Sequence, residues 1–180
     1  VYKVMSAADF ETPQDRKRCF FVAVRSDIMD KAGLNFMTLE SEVYPTPTTP
    51  KHIGVKEAIE DCINDPEQEK ELFDYVQNGF QKKWIELLEF NPKKHRKPSD
   101  PDFIDINPKR SMFNMIRPAP HLPCPTLTQR GQQMSVSGVF HYAKNRKFTI
   151  PELKRLMGLP EDFKLEGKFD KQAERIGRMV

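Results

Sequence analysis

Two arginines one residue apart, Arg16 and Arg18, stand in the run Pro13-Gln14-Asp15-Arg16-Lys17-Arg18, directly before the apolar stretch Cys19 to Val24. On an extended segment alternate side chains leave by the same face, so both guanidiniums can meet one anion or one planar partner. A second concentration of chemistry runs from Asn91 to Arg155, where 13 Lys and Arg face 4 Asp and Glu, against 16 and 22 elsewhere. The net charge of +3 therefore conceals a basic half. Cations gathered this way suit a polyanion, because each one that neutralises a phosphate releases condensed counterion; a solvated basic loop has the same composition. Arg can read guanine with two hydrogen bonds and Asn or Gln can read adenine, which singles out Asn114, Arg117, Gln129, Arg130, Gln132 and Gln133. Lys93, Lys94, Arg96 and Lys97 suit phosphate contacts or plain solvated charge.

Other chemistries find little support. Cys19, Cys62 and Cys124 are far apart and form no Cys-x-x-Cys pair, so neither a disulfide framework nor a zinc site is expected, and a reducing compartment fits. His52, His95, His121 and His141 are equally scattered, and no metal is expected. No apolar run approaches the roughly 18 residues of a membrane span. The first residue is Val and no secretory leader opens the chain, which reads as a piece cut from a longer protein.

The elements that must position these residues are partly legible. Tyr2 to Met5 suits a short strand, and Cys19 to Val24, apolar without alternation, suits a strand covered on both faces at the edge of a larger sheet. Pro45, Pro47 and Pro50 mark a linker before a short helix with Val55, Ala58, Ile59, Cys62 and Ile63 on its apolar face. Asp65-Pro66 supplies an N-cap and a first-turn proline for what should be the longest helix, striped by Leu72, Val76, Phe80, Trp84 and Leu88, widened by Phe73, Leu87 and Phe90, and stopped at Asn91-Pro92. Loops then dominate, with Phe103 to Ile106 and Val139 to Tyr142 as short strands. Thr149-Ile150-Pro151-Glu152 is a capping box, opening a helix that turns Leu153, Leu156 and Met157 inward and closes at Gly158 and Pro160.

Four segments, in order, resemble DNA (cytosine-5)-methyltransferases. Pro13 to Arg18 is similar to the family's Pro-Gln-x-Arg-x-Arg before a strand. Asn145 to Phe163 is similar to its Arg-x-Leu-Thr-x-x-Glu-x-x-Arg-Leu-x-Gly-Phe-Pro-x-x-Phe segment, the longest and most specific match. Thr126-Leu127 resembles a dipeptide late in the target recognition domain, and Gln172 to Val180 lies where the family has Gln-x-x-x-x-x-Gly-Asn-x-Val. The sequence departs from the pattern at Glu11-Thr12, where Gly-Val is usual, and at Arg178, which replaces an Asn near the cofactor.

The resemblance implies an enzyme that rotates cytosine out of the duplex, since the reacting atoms cannot be reached in the stack, and methylates C5 from S-adenosylmethionine. It implies that Arg18 approaches the flipped cytosine, that Arg16 supports the backbone or the catalytic pocket, and that Thr126 bonds a phosphate nearby. Arg146 is placed among the DNA-binding residues, while Gln14, Glu152 and Arg155 organise the recognition region. Cys124, in Pro123-Cys124-Pro125, follows the arginine motif, whereas the family's Pro-Cys-Gln nucleophile precedes it, so Cys124 is not expected to be catalytic.

The expected architecture is α+β: residues 1–27 a terminal strand segment of the catalytic sheet, 28–92 a linker and helical insertion, 93–170 a small, irregular, β-rich target recognition domain, and 171–180 a tail returning to the catalytic domain. The expected protein is a prokaryotic or phage restriction-modification enzyme acting on double-stranded DNA in the cytoplasm, associated with the nucleoid. Its nucleophile and most of its S-adenosylmethionine site are expected upstream, so that this piece is inactive alone. The alternative is a non-catalytic DNA-binding or partner-binding module, such as one subunit of a split methyltransferase.

Overall fold

A computed structural model describes residues 1–88, 93–111 and 114–179. Strand β1 (Tyr2–Ser6) passes through a 3-10 turn into β2 (Gln14–Asp15) and β3 (Lys17–Phe21). Short helices α1 (Ser26–Lys31), α2 (Leu39–Val43) and α3 (Val55–Ile59) precede α4 (Pro66–Gln77) and α5 (Lys82–Leu87). Then come β4 (Met115–Ile116), β5 (Cys124–Pro125), β6 (Gly138–Val139), α6 (Ile150–Leu156) and α7 (Phe169–Arg178). Phe90, the expected stop at Asn91-Pro92, and Val180 lie outside the described residues. No described helix is long and apolar enough to cross a membrane.

The sheets are small, and the mixture of helices with short strands agrees with the α+β expectation. β1 and β3 pair antiparallel, with Met5 opposite Arg18. The other two pairs are parallel: Gln14 lies opposite Cys124, and Met115 opposite Gly138. The expected cover on both faces of Cys19 to Val24 is not found among the described residues. Among the described residues β3 has one strand neighbour, and Phe21 is 79% and Phe20 41% exposed, with Tyr2 and Val4 of β1 also at the surface.

Two apolar clusters hold the chain together. The first joins Val55 and Ile59 of α3 to Leu127, Phe148, Leu153 and Ile176, so it draws on the helical insertion, the expected recognition region and the tail at once. Ile63 is the exception on the expected α3 face, 92% exposed because the helix ends at Ile59. The second cluster gathers Val76, Trp84, Leu88, Phe103 and Phe140.

The expected single long helix is instead two. Between α4 and α5 the Gln81 side chain folds back over Gly79 and donates from Nε2 to Tyr75 O at 3.0 Å, a local bond that replaces helical continuity and leaves Phe80 exposed. Phe103 to Ile106 likewise forms a 3-10 turn rather than a strand, its amides returning to Asp100 O, Pro101 O and Phe103 O. Both expected caps form. Asp65 accepts from Glu67 N at 3.0 Å, and Thr149 and Glu152 cap one another's backbone.

Candidate nucleic-acid interface

The parallel pairing of β2 with β5 brings the arginine run at the head of the chain against Thr126. Gln14 is fully buried and acts as the joint: its Nε2 donates to Leu156 O at 3.2 Å and to Met157 Sδ, while its Oε1 accepts from Leu127 N at 3.4 Å. One amide thus ties the arginine run to the end of α6 and to the Thr126 segment. Thr126 Oγ1 donates to Asp15 O at 2.8 Å, fastening the same two segments from the outside.

Arg16 and Arg18, with Phe20 and Val22, line one pocket of about 430 Å³, the alternation expected of an extended strand. Met5, Phe10 and Tyr44 complete most of its wall, and the Tyr44 hydroxyl donates to Phe20 O at 2.8 Å. Arg16 is 7% exposed and donates from Nη1 to Leu127 O at 3.0 Å, while its buried Nε has no partner among the described residues. Burial, and then the nearby charge of Arg18, lower the Arg16 pKa from its ordinary value. Arg18, half-buried, donates to Lys17 O at 2.7 Å and contributes to the lining of the pocket. An apolar cleft carrying two cations can take a planar, electron-rich group with an adjoining anion.

Two of the expected DNA contacts, Arg146 and Arg117, are buried and bonded within the chain. Arg146 is 1% exposed and holds Glu152 with two bonds, of 2.8 and 2.7 Å, while Nη2 also reaches Glu69 and Nη1 donates to Lys147 O. Glu152 is 2% exposed; burial alone would raise its pKa, but the Arg146 bonds keep it below the usual carboxylate value. Asn64 Nδ2 donates to Glu152 Oε1 at 3.1 Å and completes the network. Arg117 is 5% exposed and donates to Ile85 O, His141 O and Asn145 Oδ1. Burial draws its pKa down to about 10, still charged at neutral pH. Both guanidiniums are occupied by partners inside the protein. Arg155, at the surface, pairs with Glu161 and Asp61.

The remaining candidate base readers sit around one loop. Gly138 N donates to Asn114 O at 2.8 Å, so exposed Asn114 borders the segment that carries Gln129, Arg130, Gln132 and Gln133. Arg130 is exposed and Gln133 half-buried, whereas Gln129 donates to Glu174 Oε1 at 3.1 Å and Gln132 is 1% exposed. In the basic stretch before them, Arg96 and Lys94 pair with Asp102. Three inward groups escaped the sequence reading: Lys147, fully buried; Asn64; and His141, whose Nδ1 accepts from Ala143 N and Lys144 N at 3.0 and 2.9 Å. Burial holds the His141 pKa down to about 3 despite Glu152 at 3.7 Å, helped by the charges of Arg146, Lys144 and Arg117. Nothing in their spacing announces them. Cys124 is fully buried and its thiol pKa is pushed well up by that burial, so it is not a thiolate.

This geometry can be set beside known proteins. A family model described as C-5 cytosine-specific DNA methylase matches residues 1–180. The chain is 24% identical over 197 residues to the Type II methyltransferase M.DdeI of Desulfomicrobium norvegicum, covering 92% of this chain and 45% of that protein. It is 27% identical over 194 residues to the Type II methyltransferase M1.HphI of Haemophilus parahaemolyticus, covering 99% and 43%. A solved structure described as a DNA modification methyltransferase encoded within a prophage (E. coli) superposes with a TM-score of 0.58 at 17% identity, covering 99% of this chain and 55% of that one, a likeness of fold. The chain spans under half the length of the two curated relatives it matches.

Proposed function

Because the chain belongs to the C-5 cytosine-specific DNA methylase family, we propose that its residues grip DNA and recognise the target within a DNA (cytosine-5)-methyltransferase of a restriction-modification system. The observation that carries this reading is the shared pocket of Arg16 and Arg18, joined through Gln14 and Thr126 to the recognition loop. An extruded cytosine enters the apolar cleft, Arg18 binds its polar edge, and Arg16, anchored on Leu127 O, keeps Arg18 turned outward by charge repulsion. Thr126, Asn114, Arg130 and Gln133 contact phosphate and base edges of the flanking duplex, which is double-stranded.

S-adenosylmethionine supplies the methyl group in this family. The pocket beside the arginines does not suit it: two guanidiniums oppose a sulfonium cation, and no carboxylate lines that pocket to hold a ribose. On this reading the methyl donor and the nucleophile are held by residues other than these 180, and the chain alone binds DNA without methylating it. The whole enzyme works on chromosomal DNA in a prokaryotic cytoplasm.

The test is a titration of duplex DNA with the chain across a range of salt. The logarithm of affinity should fall linearly with the logarithm of salt concentration, by roughly 0.9 for each phosphate contact. Arg18→Ala in the whole enzyme should lose most of its methylation activity while still binding duplex. Salt-independent binding by the chain, or near wild-type methylation by R18A, removes the assignment.

A further inference from the structure

The loop from Gly131 to Gly138 is closed at its neck in an unusual manner. Gly138 has φ +91, and a Cβ there would run into the Gly131 backbone, so the two ends of the loop touch. Lys147, fully buried, enters that neck from the other side. Its Nζ donates to Gly131 O at 2.8 Å and to Ser137 O, and lies 4.0 Å from the centre of the Phe140 ring. Among the described residues no carboxylate pairs with it. Burial lowers its pKa to about 7, a cost to folding that the carbonyls and the ring face offset only in part.

The same loop holds a second unbalanced group. Gln132 is 1% exposed, and neither its amide oxygen nor its amide nitrogen has a partner among the described residues. A buried amide left unpaired is costly, and a partner that meets it when bound offsets that cost. The loop's outer side is fastened separately, Met134 N donating to Asp170 Oδ1 at 2.7 Å and Gln129 to Glu174. The motif quoted for Asn145 to Phe163 leaves position 147 open, so the resemblance assigns it no role.

Resting on the recognition reading above, we infer that Lys147 is a positioning residue for sequence discrimination: it clamps both ends of the Gly131–Gly138 loop and thereby sets where the Gln132 amide and its neighbours stand when DNA arrives. A clamp of this kind acts on which sequence is chosen more than on how tightly DNA in general is held, because the loop it positions carries candidate base-reading amides, while the exposed cation Arg130 lies outside it.

The experiment uses the 180-residue chain. Wild type selects a preferred duplex from a randomised pool, and its affinity is compared between that duplex and the unselected pool, alongside hydrogen exchange of the loop amides without DNA. In Lys147→Met the ratio of the two affinities should fall about tenfold, with affinity for the unselected pool and its salt slope within about twofold of wild type. Amides of 131–138 should exchange faster while those of α6 do not. Gln132→Leu, which leaves the clamp in place, should lower the ratio without faster exchange. Equal loss of both affinities in K147M, or an unchanged ratio, overturns the inference; should K147M fail to fold, an unchanged ratio in Q132L overturns it. A wild type that selects nothing defeats the recognition reading itself, and this inference with it.

Discussion

The two cationic regions of this molecule have opposite fates. At the head, Arg18 is half-buried on the lining of a cleft and donates to the carbonyl of its neighbour Lys17. In the basic half, Arg117, Arg146 and Lys147 are at most 5% exposed and bonded to carbonyls, an amide oxygen or carboxylates of the same chain. A surplus of Lys and Arg is therefore not a map of a DNA surface. What separates the regions is the supply of internal acceptors: Glu69, Glu152 and the carbonyls of Ile85, His141 and Gly131 converge on the second, whereas Arg18 meets one carbonyl of its neighbour.

The comparison is broken most forcefully at the buried pair. Glu152→Gln removes the fully buried carboxylate that holds Arg146 with two bonds, leaving only the more exposed Glu69, and should cost about 3–5 kcal/mol, read as a lower midpoint in urea unfolding. A loss under about 1 kcal/mol would mean that Arg146 can reach water, and the distinction between the regions would go. Gly177→Ala should cost roughly 1–3 kcal/mol, because its Cβ would sit 2.6 Å from the Thr128 and Gln129 backbone where α7 docks. The same melts should show Thr149→Ala losing about 1 kcal/mol for the cap, with more lost through its bond to Asn64 at 2.5 Å.

Acid sharpens the contrast. His141 has a folded pKa of about 3 against roughly 6.5 in an unfolded chain. Between those values the unfolded chain binds the extra proton, so stability is full above pH 6.5 and declines as pH falls toward 3, by at most about 1.4 kcal/mol per unit. From about pH 6.5 to 4.5, before carboxylates begin to protonate, His141→Asn should flatten that decline in thermal melts at stepped pH. At the far end of the scale, Arg18→Ala should shift stability by no more than about 0.5 kcal/mol. Its DNA affinity should nevertheless fall about tenfold in the same preparation. An R18A variant that unfolds would place Arg18 with the internal cations.

The features legible in the sequence were those whose partners lie within a few residues. Asp65-Pro66 and Thr149 to Glu152 cap helices as expected because a cap bonds its own first turn. The alternation that sets Arg16 and Arg18 on one face is likewise local, a property of extended backbone. Yet the same local reasoning failed at Phe80: Leu72, Val76, Trp84 and Leu88 are buried as the stripe expects, but the Gln81 bond to Tyr75 breaks the helix at the middle position and leaves Phe80 exposed.

Residue types and short-range spacing determined the family motifs, the caps and the strand that bears the arginines. Only the folded chain decided which cations are engaged by partners inside it. Arg146 finds Glu69 at a separation of 77 residues, Arg117 finds Ile85 O at 32, and Lys147 finds Gly131 O at 16. A charge buried without a partner is too costly to keep, and whether a partner arrives depends on how distant segments pack, which periodicity does not encode.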